Sequence, residues 1–217
     1  MTHYPSPNFN ERRGGVTPSL IVIHYTAMES RDAARARLCD PVVEVSAHWL
    51  ISEKGEAEAL VPEAMRAWHA GAGEWAGLSD INSHSIGIEL ANTGNQPFPE
   101  PQMAALETLL SAIMQRWAIP NHRVIAHSDM APDRKGDPGA RFDWRRLALQ
   151  GLSVWPDGLG DPARDFGQSL RAIGYPMADK PATLAAFRLR FRPWGVGSVG
   201  DADRACADAV ARLAMGR

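Results

Sequence analysis

Two cysteines are all that the 217 residues contain, Cys39 and Cys206, far apart and neither in a Cys-x-x-Cys pair. That scarcity leaves no disulfide scaffold and reads as two reduced thiols. No apolar run approaches the roughly 18 residues of a membrane-spanning helix. The stretch from Met1 to Gly15 is rich in Pro, Asn and Arg and has no apolar core of the signal-peptide kind. As written, the chain therefore reads as cytoplasmic; trimmed of a leader, it would read as periplasmic. Neither sign of charge dominates, since 23 Lys and Arg face 25 Asp and Glu for a net charge of -2. Without a basic run, nucleic acid and anionic membrane surfaces are not expected partners.

What is present is the composition of an ordinary globular protein, 45% hydrophobic and 22% charged. Its length suits one large domain, or one of about 150 residues with a small appendage. The chemistry is concentrated in one loop, His127-Ser-Asp-Met-Ala-Pro-Asp-Arg-Lys-Gly-Asp-Pro-Gly139. Imidazole, ammonium and carboxylate groups fall within it directly after the apolar strand Val124-Ile-Ala126. Pro132, Gly136, Pro138 and Gly139 argue against a regular helix, so the loop can fold back and aim Asp137 at the point His127 addresses. Such a spacing suits Zn²⁺, which three protein ligands can hold while a fourth position stays open to water. One ligand is missing from the loop.

The missing group is sought at another strand end. Leu20-Ile-Val-Ile-His24 is a buried strand closing on a histidine. Alone, His24 would read as structural, but His127 also closes an apolar strand. Two such strands side by side would bring both imidazoles to one edge of a sheet, where sites are commonly assembled. Ser85-Ile-Gly-Ile-Glu-Leu-Ala91 is a third strand, with Glu89 inside its apolar run. Carboxylates are rarely buried without a partner. Glu89 is either half of a Glu–Arg pair or a general base of raised pKa beside a metal, and the neighbouring histidines favour the base.

Around these strands the chain reads in order. Residues 1–19 are an extended surface arm. Ser30 caps a helix through Leu38. Val45 to Ile51 and Ala57 to Val61 form strand, turn, strand; His48 lies there with a structural or substrate-contact role. The Gly- and Trp-rich stretch from Ala67 to Gly77 forms a cleft wall in which Trp68 and His69 meet a ligand, or a loop whose tryptophans seal the core. Glu100 to Trp117 is the clearest helix, with Met103, Leu106, Leu110, Ile113, Met114 and Trp117 on one face. Phe142 to Gln150 is a shorter one. Residues 156–162 read as a linker, and 163–217 as a unit of three short helices over Ala163–Ile173, Pro181–Phe191 and Asp201–Leu213. So small a unit is expected to lean on the first domain, residues 1–155. His3, His84 and His122 read as surface residues, and Arg141 as a possible contact for substrate carboxylates.

Val22-Ile-His-Tyr-Thr26, Ser46-Ala-His-Trp49, Trp68-His-Ala-Gly71, Ser85-Ile-Gly-Ile-Glu89 and the His127–Gly139 loop together resemble the zinc-dependent N-acetylmuramoyl-L-alanine amidases. That family shares its fold with the peptidoglycan recognition proteins. The match covers about residues 1–155. Ser169-Leu-Arg-Ala-Ile-Gly-Tyr175 and Ala186-Phe-Arg-Leu-Arg-Phe-Arg-Pro193 resemble the three-helix peptidoglycan-binding unit attached to the AmiD branch of the family. The resemblance implies an α/β fold, a central mixed β-sheet flanked by helices, plus the small C-terminal three-helix domain. It also implies Zn²⁺ on His24, His127 and Asp137, with Glu89 as the catalytic carboxylate and Lys135 as the stabiliser of the oxyanion. The expected partner is peptidoglycan or a muropeptide, anhydro forms in the AmpD branch and intact ones also in the AmiD branch, met by a monomer. A non-catalytic peptidoglycan-binding receptor is the competing expectation, and the full ligand set argues against it.

Overall fold

The computed structural model describes residues 5–156, 158, 160–176 and 180–216. His3, two residues of the 156–162 stretch and three residues before Lys180 lie outside them.

The five-stranded sheet runs in the order β4-β3-β6-β2-β7. These strands are β2 (Leu20–Tyr25), β3 (Trp49–Ile51), β4 (Ala57–Ala59), β6 (Ser85–Leu90) and β7 (Val124–Ala126). β2 pairs parallel with both β6 and β7, β3 pairs parallel with β6, and β4 closes the edge antiparallel to β3. The sheet is mixed, as the family resemblance implies. A second, two-stranded sheet joins β1 (Phe9–Asn10) to β5 (Arg66–Ala67).

Alternation along each strand sorts the residues between two faces. Ile21, Ile23, Ile86, Ile88, Leu90, Val124 and Ala126 pack against Met103, Leu106, Leu109, Leu110 and Ile113 of α3 (Glu100–Trp117) and against α5 (Trp144–Leu149). Leu20, Val22 and Ile125 face the other way, into a core with Phe166, Leu170, Phe187, Phe191 and Val210. Those side chains come from α6 (Phe166–Ile173), α7 (Pro181–Phe191) and α8 (Asp201–Ala214). The helical tail thus shares one hydrophobic core with the sheet. Burying its aromatic residues there supplies what three short helices alone could not.

Three local readings need correction. Residues 5–15 are no loose surface arm: Ser6, Asn8 and Arg12 are buried, and the Arg12 guanidinium donates to the carbonyls of Asn82, Ser83, Ser85 and Glu63. The start of the His127 loop is helical after all, since α4 spans His127–Met130; Pro132 lies beyond that single turn and does not obstruct it. The helix placed at Phe142–Gln150 is shorter, starting at Trp144 because Asp143 caps it through the Arg146 amide. By contrast α1 (Arg31–Leu38) starts where Ser30 accepts from the Ala33 amide at 3.2 Å.

Candidate active site

His24, Glu89 and His127 reach one place by register and parity. His24 lies opposite Glu89 in the parallel β2–β6 ladder, and Ile23 lies opposite Ala126, the residue before His127. His24 shares parity with Leu20 and Val22, Glu89 with Ser85 and Gly87, and His127 follows Ile125 by two. All three side chains therefore emerge on the face opposite α3, at the carboxyl ends of the strands. Asp137 is returned to them by its own loop, because the Ser128 amide donates to the Asp137 carbonyl at 3.0 Å.

The result is a buried triangle. His24 Nδ1 is 2.9 Å from His127 Nδ1, and each is 3.0 Å from Asp137 Oδ2. Hydrogen bonds behind the rings fix where the protons are. The Ser85 hydroxyl donates to the Ile81 carbonyl at 2.6 Å, so at 3.1 Å it accepts from His69 Nε2–H. His69 Nδ1 is then bare and accepts from His24 Nε2–H at 3.0 Å. His127 Nε2–H donates to the Ala70 carbonyl, also at 3.0 Å. Both Nδ1 atoms are left as lone pairs facing each other and a carboxylate oxygen. Burial lowers the His24 imidazole to about 4, which keeps it neutral. Three electron-rich atoms this close are reconciled by a cation between them. His24, His127 and Asp137 are the group, among the described residues, that could hold a metal ion.

Glu89 stands beside the triangle with no guanidinium partner among the described residues. Its Oε2 is buried without a hydrogen bond among the described residues. Burial, and then the Asp137 charge, push its carboxyl up to about 8, with the Lys135 ammonium opposing. A carboxyl so poised can exchange a proton with a water or a leaving group near neutral pH.

The triangle opens into a cleft of about 400 Å³ lined by Tyr25, Met28, Arg37, Trp68, Glu89 and Lys135 among others. Trp68 lies on the wall while Trp75, 2% exposed, is core, so the Gly-rich loop has one tryptophan for each reading the sequence left open. His69 is a cleft residue too, but its ring is spent on His24 and Ser85. Gly87 makes room for it: a Cβ there would come within 2.4 Å of the His69 ring.

Two expected contacts are corrected. His48 is fully buried; its Nδ1 accepts from the Gly87 amide at 2.9 Å and its Nε2 donates to the Met65 carbonyl at 3.0 Å, so it ties the sheet together behind His69. Arg141 is exposed and does not line the cleft. The cations that do, besides Lys135, are Arg37 and Arg134. Arg134 latches the loop by donating to the Ala70 carbonyl at 3.2 Å. Arg37 went unremarked because nothing in a solvated helical run sets one arginine apart from its neighbours.

The N-acetylmuramoyl-L-alanine amidase family matches residues 14–140, more than half of the chain and every residue of this cluster. The chain belongs to that family. Among its amidases, AmiD of Escherichia coli is 42% identical over 154 residues, 64% of this chain and 55% of that protein's length. The 1,6-anhydro-N-acetylmuramyl-L-alanine amidase AmpD of Haemophilus influenzae is 36% identical over 160 residues, 65% of this chain and 86% of its own. The solved complex of Escherichia coli AmiD with the substrate anhydro-N-acetylmuramic acid-L-Ala-D-gamma-Glu-L-Lys superposes with a TM-score of 0.81 at 32% identity. That superposition covers 95% of this chain and 98% of the other, so the amidase likeness extends through the helical tail.

Proposed function

We propose that this chain is a zinc-dependent N-acetylmuramoyl-L-alanine amidase, hydrolysing the amide between N-acetylmuramic acid, or its anhydro form, and the L-alanine of the stem peptide. The observation that carries the reading is the triangle of His24 Nδ1, His127 Nδ1 and Asp137 Oδ2, all within 3.0 Å, with the unpartnered Glu89 carboxyl on the same cleft. The nitrogen and carboxylate donors suit Zn²⁺, and the set of three leaves a position open. Zn²⁺ bound there supplies Lewis acidity, polarising a carbonyl and lowering the pKa of a water toward about 7.

The protein's own residues do the rest. Glu89 accepts a proton from the attacking water as its oxygen bonds to the lactyl carbonyl carbon. The same carboxyl then delivers that proton to the departing nitrogen, so the C–N bond breaks to a carboxylic acid and a free amine. Lys135, on the rim of the cleft, places a positive charge where the carbonyl oxygen becomes negative, worth about 3 kcal/mol if it matches other oxyanion donors. Trp68 offers an apolar wall to the ligand. Arg37, which has no ion-pair partner among the described residues, offers a charge to a carboxylate of the stem peptide.

The deciding experiment is mass spectrometry of a defined disaccharide-tetrapeptide incubated with zinc-loaded protein, with a chelated sample alongside. Release of a free peptide with amino-terminal alanine, abolished by chelation, is expected. An intact muropeptide that merely co-purifies with the protein would replace the reading with a receptor.

A further inference from the structure

Asp129 takes no part in the cleft, yet it is fully buried two residues beyond His127. Its Oδ2 accepts from the Ala126 amide at 2.9 Å, closing the start of α4, and from Arg190 Nη1 at 2.6 Å. Its Oδ1 accepts from the Tyr175 hydroxyl at 2.5 Å. Arg190 belongs to α7 of the helical tail, 61 residues further along the chain. Its Nη2 donates to the Val124 carbonyl of β7 at 2.9 Å and to the Ser153 hydroxyl at 3.2 Å. The guanidinium lies over the Trp144 ring, 4.2 Å from the centroid. One tail side chain therefore grips both the strand that precedes His127 and the turn that carries it.

Stability is a poor reason for this arrangement. Burying a carboxylate and a guanidinium costs several kcal/mol of desolvation that well-packed apolar side chains would not incur. Arg190 Nε, moreover, has no hydrogen-bond partner among the described residues. What the pair does achieve is direction, because a planar guanidinium held through Nη1 to the Asp129 carboxylate and through Nη2 to the Val124 carbonyl fixes the two segments it bridges.

We infer that Arg190 is a positioning residue for the metal cluster, acting through Asp129 to set the orientation of the turn that presents His127. The inference rests on the zinc reading above and extends it: the helical tail contributes to the affinity of the site for its metal. Groups that orient ligands in this way change metal affinity by about 10- to 100-fold when removed.

The test uses the full chain and three variants. Arg190→Met removes the bridge, and Tyr175→Phe removes one bond to Asp129 without changing charge. Asp203→Asn is the control, because it breaks the buried Arg188–Asp203 pair within the tail and leaves Asp129 untouched. Two quantities are read: amide hydrogen exchange over residues 126–137 in EDTA-treated protein, and zinc affinity by competition with a chromophoric chelator. Arg190→Met is expected to speed exchange at the Ser128 and Ala131 amides and to weaken zinc binding about tenfold or more. Tyr175→Phe should move both in the same direction by less, and it decides the matter if Arg190→Met does not fold. Asp203→Asn should leave both at wild-type values even at an equal loss of thermal stability. If Arg190→Met and Asp203→Asn behave alike at matched stability, or Arg190→Met matches the wild type, the inference is overturned. A wild type that takes up no zinc, while exchange at 126–137 still responds to Arg190, would remove the zinc reading and leave the coupling standing.

Discussion

At the scale of single residues, the proposed function separates holding a metal from moving a proton. Glu89→Gln keeps the triangle intact, so zinc content should stay at one per chain while turnover falls by about 10²- to 10⁴-fold, as steady-state assays and metal analysis would read. Asp137→Ala, by contrast, should lose both. The raised Glu89 carboxyl makes a further prediction about pH. Its value in the folded protein, about 8, lies above its ordinary 4.5, so the stability it contributes is present below about pH 4.5 and lost as pH rises through 8. Gln carries no such dependence. In EDTA, Glu89→Gln should therefore match the wild type at pH 4 and exceed it by on the order of a few kcal/mol at pH 9, from urea midpoints. Parallel stability curves would show that Glu89 is not held in an apolar setting. Arg37→Ala should raise KM about tenfold with kcat little changed, since an exposed charge reading a carboxylate serves binding and not chemistry.

At the scale of elements, the strand ends do the assembling and a histidine on a loop sets their chemistry. His69 reaches His24 only because β6 has glycine at position 87, over which the ring lies. Without His69 the Nε2–H of His24 loses its acceptor, and the tautomer that bares Nδ1 is no longer enforced. His69→Ala should weaken zinc binding by about 10- to 100-fold in a chelator competition. Gly87→Ala should do the same by pushing the ring aside, although it removes no polar group. Unaltered zinc affinity in both would mean that the His24 ring is oriented by packing alone. The strands β2, β6 and β7, the long α3 stripe, the α1 cap and the α7 boundaries were legible in the sequence, because each depends on spacing within a few residues; β1 and β5 were not, and the strand read at Val45–Ile51 begins only at Trp49. The one-turn α4 was not, since the prolines and glycines that stop a helix act only from residue 132 onward. The burial of Arg12 was not legible either, because its partners at Glu63 and at Asn82 to Ser85 lie some 50 to 70 positions away.

At the scale of the whole molecule, the tail completes the core behind the proposed metal site. Zn²⁺ that binds only the folded chain should stabilise it by about 4 kcal/mol at a free concentration a thousandfold above Kd, which raises Tm on the order of 10 °C over the chelated protein. Differential scanning calorimetry with and without EDTA would measure this, and identical traces would mean that zinc does not settle in the triangle. The sequence by itself determined the strand-end histidines, Glu89 within an apolar strand, the loop bearing Lys135 and Asp137, and the family they resemble. The first three follow from residue type and short-range period and the family from motif resemblance, whereas placing His24, Glu89 and His127 on one face took the strand pairing. Only the tertiary structure decided that His48 is tied to the Gly87 amide and the Met65 carbonyl, that Arg37 and not Arg141 lines the cleft, and that a tail arginine bridges the strand and turn around His127. Those facts depend on strand order and on helices packing across the sheet. Such contacts join residues tens of positions apart, and no local pattern in the chain encodes them.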